Sequence, residues 1–344
     1  MSAHSNHEPV GVALIGAGMI AESHIRALSA IGHARLEVVV SRRPSKAGHL
    51  AEFYSGPAPE FTSDLSKVTE NPKIQVVIVA TPPSVRIDLI SALAKAGKHV
   101  LLEKPIARTV AEAETVVEIC EQAGVTLGIL FQHRMRAPSI AAAGYVAGGR
   151  LGALGHVDIA VPLWRDQSYY DELGRGTYAR DGGGVLITQA IHTLDLALSL
   201  TGPVTSVQAM TATSPLHQME AEDFAVAGLR FACGAVGSLV ANTATYPHGL
   251  EVITLHFEHG SLRLDKERLD LDWRDGGRES DDFEAVQPIH KFVWHQGVIE
   301  DFLNSIQNGT APMVTGREAL SVHQLIEAIE VSSREARQVK IPAQ

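Results

Sequence analysis

The sequence predicts an α/β chain of two domains. A parallel, doubly wound sheet forms the N-terminal part, and an α+β domain with a large, mostly antiparallel open sheet follows it. Two observations carry this. In the first third, short apolar runs alternate with helical stretches, and strands that alternate with helices form a parallel sheet through right-handed crossovers. From Gly155 onward the strands lengthen and alternate apolar with polar residues, the pattern of an antiparallel sheet with one covered and one freer face. The change of pattern sets the expected domains at residues 8–132 and 133–344, and 344 residues suffice for two cores.

Taken in order, "VGVALIGAG" (Val10 to Gly18) is a buried strand running into glycines, and "MIAESHIRALSAI" is a helix. "LEVVVS" is the second strand, and "IQVVIVATPP" (Ile74 to Pro83) another, followed by a helical run from Val85 to Ala96. "HVLLEKP" is the next strand, "VAEAETVVEICEQAG" a helix ending on Gly124 as a C-cap, and "VTLGILFQ" one more strand. These strands are apolar on both faces, as helices covering both sides require. In the second part, "HVDIAVPLW", "VTSVQAMTAT", "EDFAVAGLRFA", "GAVGSLVANTAT" and "EVITLHFEHGSLRLD" are the sheet. Helices fall near Gly184–Leu200, Trp294–Gln307 and Arg317–Arg337.

Composition narrows the function classes. Hydrophobic residues make up 45% and charged residues 20%, as in soluble globular proteins. The formal charge of −10 gives no basic face for nucleic acid. No apolar run reaches membrane-spanning length, and the N-terminus lacks the pattern of a signal peptide. Cys120 and Cys233 are the only cysteines and lie far apart, which fits a reducing, cytoplasmic compartment. His4 and His7 read as part of a disordered tail. "HTLDL" places His192 and Asp195 at i and i+3, but no third ligand has sensible spacing, so no metal site is expected.

Gly16-Ala17-Gly18-Met19-Ile20-Ala21 fits G-x-G-x-x-A between a strand and a helix, the context that makes it a dinucleotide-binding turn. Gly16 permits the tight turn, Gly18 lets backbone approach a pyrophosphate, and Ala21 allows close helix–sheet packing. The helix N-terminus at Met19 and Ile20 offers amides to the phosphates. The first domain is thus expected to be a Rossmann domain. An acid at the end of the second strand would select NAD, but Ser41-Arg42-Arg43 stands there, with Glu37 too early in the strand. A hydroxyl and guanidinium groups suit a 2′-phosphate, so NADP is expected ahead of NAD. Thr81 and Pro82, with Pro83, lie at the C-terminal end of a parallel strand and shape the cofactor cleft.

The stretch "HVLLEKPIA" (His99 to Ala107) ends a buried strand on Glu103-Lys104-Pro105. With the glycine turn, "ATPP", "EKP", the "DGGGVLITQAIHTLDLALSLTG" stretch (Asp181 to Gly202) and the closing "FLNSIQNGTAPMVTGREAL…" segment, nearly the whole chain resembles the glucose–fructose oxidoreductase / inositol dehydrogenase / rhizopine-catabolism (Gfo/Idh/MocA) family. The resemblance implies that Lys104 reaches between nicotinamide and substrate, that Glu103 and Lys104 lie against the cofactor, and that His192 is the histidine of the substrate domain. Family members carry an aspartate four residues before that histidine; here it is Thr188. Asp195 matches the family pattern and holds the helix.

Oxidising a secondary alcohol needs a hydride acceptor, a base for the hydroxyl proton and a charge partner for the developing alkoxide. His192 is assigned the proton with Lys104 as partner; the reverse assignment stays open because Thr188 removes the usual dyad. "PLWRDQSYYDELGRGTYARDGGG" (Pro162 to Gly184) supplies aromatic faces and forked polar groups suited to a sugar or cyclitol. Trp164, Arg165, Tyr169, Tyr170, Arg175 and Tyr178 are its candidates; Gln132, Arg134 and Thr188 join them as substrate contacts. His290 and His295, just ahead of the late helix, could reach the cleft, but a surface role is the favoured reading for each. The expected activity is hydride transfer between NADP or NAD and a secondary alcohol of a sugar, cyclitol or sugar derivative. Two alternatives remain: redox-assisted glycoside cleavage, and a non-catalytic cofactor-binding sensor. A homodimer or homotetramer through the open sheet is expected.

Overall fold

The computed structural model describes residues 9–283 and 292–342, so His4, His7 and His290 lie outside the described residues. The chain divides into two units. The first comprises Met1–Ile106, Glu114–Leu130 and His290–Glu318; the second comprises Ala107–Ala113, Phe131–Ile289 and Ala319–Gln344. This differs from a single cut after residue 132, because the late helix Phe292–Asn308 belongs with the N-terminal sheet.

The first unit is a six-stranded parallel sheet of β1 (Val10–Ile15), β2 (Ala34–Val40), β3 (Glu60–Thr62), β4 (Ile74–Val79), β5 (His99–Glu103) and β6 (Leu127–Leu130), ordered β3-β2-β1-β4-β5-β6. All six residues of β1 are buried, as a strand covered on both faces must be. β3 pairs Glu60 with Val38 at the sheet edge; with three half-exposed or exposed residues it has no periodicity to read in sequence. The order reverses between β1 and β4, which puts the ends of β1, β4 and β5 on the rim where ligands of open α/β sheets bind. Gly124, with φ +67°, ends the preceding helix in the left-handed conformation expected of its C-cap.

Gly128 explains why the late helix docks here. A Cβ on Gly128 would lie 2.5 Å from Cδ2 of Phe302, whose ring is buried in the core. The helix Phe292–Asn308 thus presses an aromatic ring onto bare backbone of β6.

The second unit is a nine-stranded sheet of β7 (Leu154–Pro162), β8 (Val204–Ala212), β9 (Phe224–Phe231), β10 (Val236–Asn242), β11 (Val252–Phe257), β12 (Gly260–Leu264), β13 (Arg268–Trp273), β14 (Arg278–Asp282) and β15 (Val339–Lys340). The order is β14-β13-β12-β11-β7-β10-β9-β8-β15, and only β7 with β10 pairs in parallel. The run Glu251 to Asp265 is a hairpin of β11 and β12, and β13 and β14 extend the sheet beyond the strands expected from sequence. One face is buried by Val157, Ile159, Leu229, Leu239 and Leu255. On the other, the register aligns Met210, Val226, Val240, Ala160 and Val252 in one row across five strands.

Filling the space above Gly128 should test the docking. Gly128→Val is expected to cost about 2 kcal/mol by overpacking. Phe302→Leu in the same chain should recover part of that loss. Urea midpoints of the two single variants and the double variant check this; simple additivity would count against the contact.

Candidate active site

In the first unit the glycine turn is shaped by neighbouring strand ends. Gly16 has φ +111°, and a Cβ there would lie 2.5 Å from the Ala80 carbonyl, so only glycine fits. Around Gly18 nothing lies within 4 Å of a Cβ position, and Met19 is 82% exposed, which leaves the backbone open to a ligand. Ala21 is fully buried against the sheet at the first turn of the helix Ala21–Ala30. After β2, the Ser41 hydroxyl accepts the Arg43 amide at 3.2 Å, and Arg42 and Arg43 are exposed. Among the described residues neither arginine carries an ion pair, whereas Glu37 is half-buried within the strand and pairs with Arg35. Pro82 is exposed, Pro83 opens a short 3₁₀ turn, and Thr81 Oγ1 is buried with no hydrogen-bond partner. An open glycine backbone, an orphaned hydroxyl and two unengaged guanidinium groups fit a phosphorylated dinucleotide.

The strand end that carries Lys104 is held by a residue that sequence reading passed over. Arg86 is 2% exposed and begins the helix Arg86–Lys95. Its Nη1 donates to the carbonyls of Glu103 at 2.5 Å, Ile106 at 3.3 Å and Pro105. Its Nε and Nη2 donate to the Thr81 carbonyl at 3.1 and 2.6 Å. One guanidinium thus ties "ATPP" to "EKPI". Burial pushes Arg86 down to about 10, with the Glu103 charge opposing.

Glu103, expected at the cofactor, spends its carboxylate inward: Oε1 accepts from His24 Nε2 at 2.9 Å, and His295 Nε2 lies 4.0 Å away. His295 is therefore no surface residue; it is 4% exposed and its ring meets that of His24 edge-on. Burial acts to raise the Glu103 carboxyl, but the His24 hydrogen bond and the charges of His24, His295 and Lys104 outweigh it and hold it below the usual range. The Lys104–Pro105 peptide is cis, and Lys104 is half-buried at the rim.

In the second unit His192 is 7% exposed, near the start of the helix Ile191–Thr201. A π-helical turn, Leu186–Ala190, precedes it, a widening that the apolar pattern does not reveal. The His192 ring stacks on His133 at 4.6 Å and meets Phe131 edge-on at 5.9 Å. Arg136 Nη2 donates to His133 Nε2 at 2.5 Å, and a guanidinium has no acceptor, so the His133 proton sits on Nδ1. That nitrogen lies 3.7 Å from Glu251. His133, Arg136 and Glu251 thus fix the plane on which His192 rests, and none was singled out from sequence.

Several expected substrate contacts are engaged otherwise. Arg134 grips Asp195 with both nitrogens of its fork, at 2.8 and 2.7 Å, so it anchors the His192 helix, and Asp195 holds the helix as expected. Tyr170 is buried, its hydroxyl on Thr243 Oγ1 at 2.6 Å, and burial pushes it up to about 12. The Thr188 hydroxyl donates to the Gly184 carbonyl at 2.6 Å. Tyr178 lines a separate cavity with Arg108, His323 and Glu330. Other candidates fit better. Gln132 Oε1 is buried without a partner. Arg165 donates to Gln189 Oε1 at 2.9 Å and lies over the Tyr169 ring, whose hydroxyl accepts from Gln189 at 3.0 Å. Arg175 lies over the same ring at 4.8 Å, and Trp164 packs on His217 and Tyr246.

Known proteins match along most of the chain. Residues 10–131 match the family model described as an oxidoreductase family with an NAD-binding Rossmann fold, and residues 140–263 match the GFO/IDH/MocA C-terminal domain. D-apiose dehydrogenase of Paraburkholderia graminis is 26% identical over 96% of this chain and 89% of its own. Inositol 2-dehydrogenase of Rhizobium meliloti is 25% identical over 95% and 98%. The crystal structure of the WlbA dehydrogenase from Bordetella pertussis, in complex with NADH and UDP-GlcNAcA, is similar with a TM-score of 0.84 at 31% identity, covering 98% and 100%.

Removing the Arg86 clamp should be costly. Arg86→Met leaves the Thr81, Glu103, Pro105 and Ile106 carbonyls without their donor and is expected to lose about 3 kcal/mol in urea unfolding. Arg86→Lys, a point charge without the planar fork, should recover less than half of that.

Proposed function

Because the chain belongs to the GFO/IDH/MocA oxidoreductase family, we propose that Lys104 and His192 divide the proton and charge work of an alcohol oxidation, with NADP preferred over NAD. The protein is an NAD(P)-dependent oxidoreductase acting on a CH–OH group of a sugar, cyclitol or sugar derivative. When bound, the nicotinamide supplies the hydride acceptor or donor. Gly16, Gly18, Met19 and Ile20 hold the pyrophosphate, Ser41, Arg42 and Arg43 the 2′-phosphate, and Thr81 and Pro82 the cleft wall.

The observation that carries this is the clamped strand end. Arg86 fixes the backbone on both sides of Lys104, so the ammonium is delivered from a rigid base. There Lys104 Nζ stabilises the developing alkoxide, and the His192 imidazole accepts the hydroxyl proton. A rigid base matters because preorganised charge costs no reorganisation when the reaction occurs. His192 is likewise fixed, by the stack on a His133 whose own proton position is set. With Thr188 turned to the Gly184 carbonyl, no carboxylate stands at that position to orient the imidazole, and the His133 stack takes over part of that work. Gln132, Trp164, Arg165 and Gln189 are the side chains we assign to the substrate.

The row Met210, Val226, Val240, Ala160 and Val252, half-buried to exposed, supports self-association of the second unit, face against face. Met210 is 54% and Val240 40% exposed, unusual for large apolar side chains in the middle of a sheet. No helix among the described residues is long and apolar enough to cross a membrane. Cys120 and Cys233 are both free thiols, which supports a reducing, cytoplasmic setting.

Fluorescence titration with NADPH and NADH tests the cofactor choice. NADPH should bind more tightly, and Arg42→Ala should weaken NADPH about tenfold while leaving NADH within a factor of two. Equal losses for both would sink the 2′-phosphate assignment. Lys104→Ala should lower turnover on a sugar and polyol panel about 1,000-fold with NADPH binding retained. In light scattering, Val240→Lys should halve the mass of the wild-type assembly; an unchanged mass would remove the sheet face as the interface.

A further inference from the structure

We infer that Glu222 and Glu330 together form a positioning brace for the helix that carries His192, holding its glycine lead while at most one of the two carboxyls is charged and releasing it when both are. Glu222 is 5% exposed and stands just before β9. Its Oε2 accepts the Gly184 amide and its Oε1 the Leu186 amide, both at 3.0 Å, and its backbone carbonyl accepts the Val185 amide at 2.8 Å. A Cβ on Gly184 would lie 1.8 Å from that carbonyl, so the turn wraps Glu222 with no room for a side chain. Gly184 in turn receives both the Thr188 amide and the Thr188 hydroxyl on its carbonyl, at 3.1 and 2.6 Å. The π turn into His192 therefore starts from amides that a single carboxylate holds.

Glu330 approaches the same turn from the helix Gly316–Glu335. A Cβ on Gly183 would lie 3.2 Å from Glu330 Oε1 and 3.9 Å from Glu222 Oε2, so the two carboxyls flank one glycine. Glu330 Oε1 is buried and has no hydrogen-bond partner among the described residues. It faces a cavity of about 110 Å³, lined also by Arg108, Tyr178, Ile187, His323 and Glu327. The charges around Glu330 are Glu222 from the segment before β9, Glu327 and Arg334 from its own helix, and Tyr178 from the loop opposite. Arg108 does not neutralise it, since its guanidinium is bound to Glu112 and the Ala179 carbonyl. His323 lies one side of the cavity on the Glu330 helix.

Burial, then the charges of Glu222 and Glu327, push Glu330 up to about 8, with Arg334 opposing. Burial also raises Glu222, against the pull of the Leu186 and Gly184 amides. An acid raised in the folded state binds its proton more tightly there than in the unfolded chain. Stability therefore falls as pH climbs from the unfolded value near 4.5 through about 8, and is flat above. Once Glu330 ionises, two carboxylates face each other in a poorly hydrated space, and the amides of Gly184 and Leu186 lose their acceptor as the pair parts.

Amide hydrogen exchange of the Gly184–Thr188 segment, in wild type, Glu330→Gln and Glu222→Gln, tests the brace. At pH 6 wild type and Glu330→Gln should be equally protected. At pH 9.5 wild type should be at least about tenfold less protected than Glu330→Gln measured at the same pH. Glu222→Gln, which presents an NH₂ where an acceptor is needed, should be poorly protected at both. The Tm of Glu330→Gln should exceed that of wild type at pH 9 but not at pH 4.5; a merely structural role would shift both alike. Identical protection of wild type and Glu330→Gln at both pH values overturns the proposal, as does full protection in Glu222→Gln. Should Glu222→Gln fail to fold, the Glu330→Gln comparison decides alone. The role given to His192 rests on the oxidoreductase reading, and turnover carries that part: wild type should show an alkaline fall in kcat that Glu330→Gln lacks. Exchange needs no substrate, so failure of that reading and failure of the brace are separable.

Discussion

The buried guanidinium of Arg86 is the interaction on which the Lys104 end of the first sheet depends. Four carbonyls, those of Thr81, Glu103, Pro105 and Ile106, converge on one side chain. Backbone carbonyls at strand ends have no ladder partner, and leaving them buried without a donor costs more than the burial of a fully satisfied charge. The arginine meets that demand with a planar fork that lysine lacks. It also joins the strand end at Thr81 to the one that carries Lys104, so both are referred to one anchor. Below it, Glu103 turns inward to His24 and His295, which keeps a second buried charge satisfied without drawing on Lys104 alone.

The second unit solves the corresponding problem for a histidine. His192 is placed by three independent supports: the His133 stack beneath its ring, the Arg134–Asp195 fork that pins its helix, and the Glu222 carboxylate that holds the glycine lead. The π turn between lead and helix is a rare way to begin a helix, and Glu222 and Thr188 bond the backbone groups that lead into it. Thr188 thereby serves backbone geometry, its hydroxyl donating to the Gly184 carbonyl. The His133 ring, stacked at 4.6 Å, fixes the plane of the His192 imidazole.

Much of the fold was legible because its signals are local. The glycine turn, the alternation of buried strands with helices, and the change to alternating strands after Gly155 each follow from spacing within a dozen residues. What escaped notice is equally instructive. β3 and β14 are short edge elements with no buried residue to pattern them, while β13 does alternate, with Leu269 and Leu271 buried, but is only 6 residues long. Arg86 lies three residues past "ATPP", in the helical run from Val85, but its acceptors are carbonyls, and a carbonyl belongs to every residue alike. His133 lay between two residues that were picked, yet it is the stacking partner, while Arg134 turned to Asp195 and Tyr170 into the core. Type and spacing identify groups capable of chemistry; they do not say which of them is already bonded.

The sequence alone determined the two-part architecture, the glycine turn and the basic second-strand end, and it singled out Lys104 and His192 as groups capable of the chemistry. Each rests on residue chemistry within a short stretch, where steric rules and charge leave few choices. Tertiary structure decided which side chains are used up in holding the others. Glu103, Arg134, Tyr170 and Thr188 became supports, and Arg86, His133, Gln189 and Glu222 took roles no motif announced. The physical reason is that a hydrogen bond or a ring stack needs a partner within a few ångströms, and Arg86 finds Glu103, Arg134 finds Asp195 and Glu103 finds His24 at separations of 17, 61 and 79 residues in the chain. Local pattern cannot encode that proximity; only the packed sheets create it.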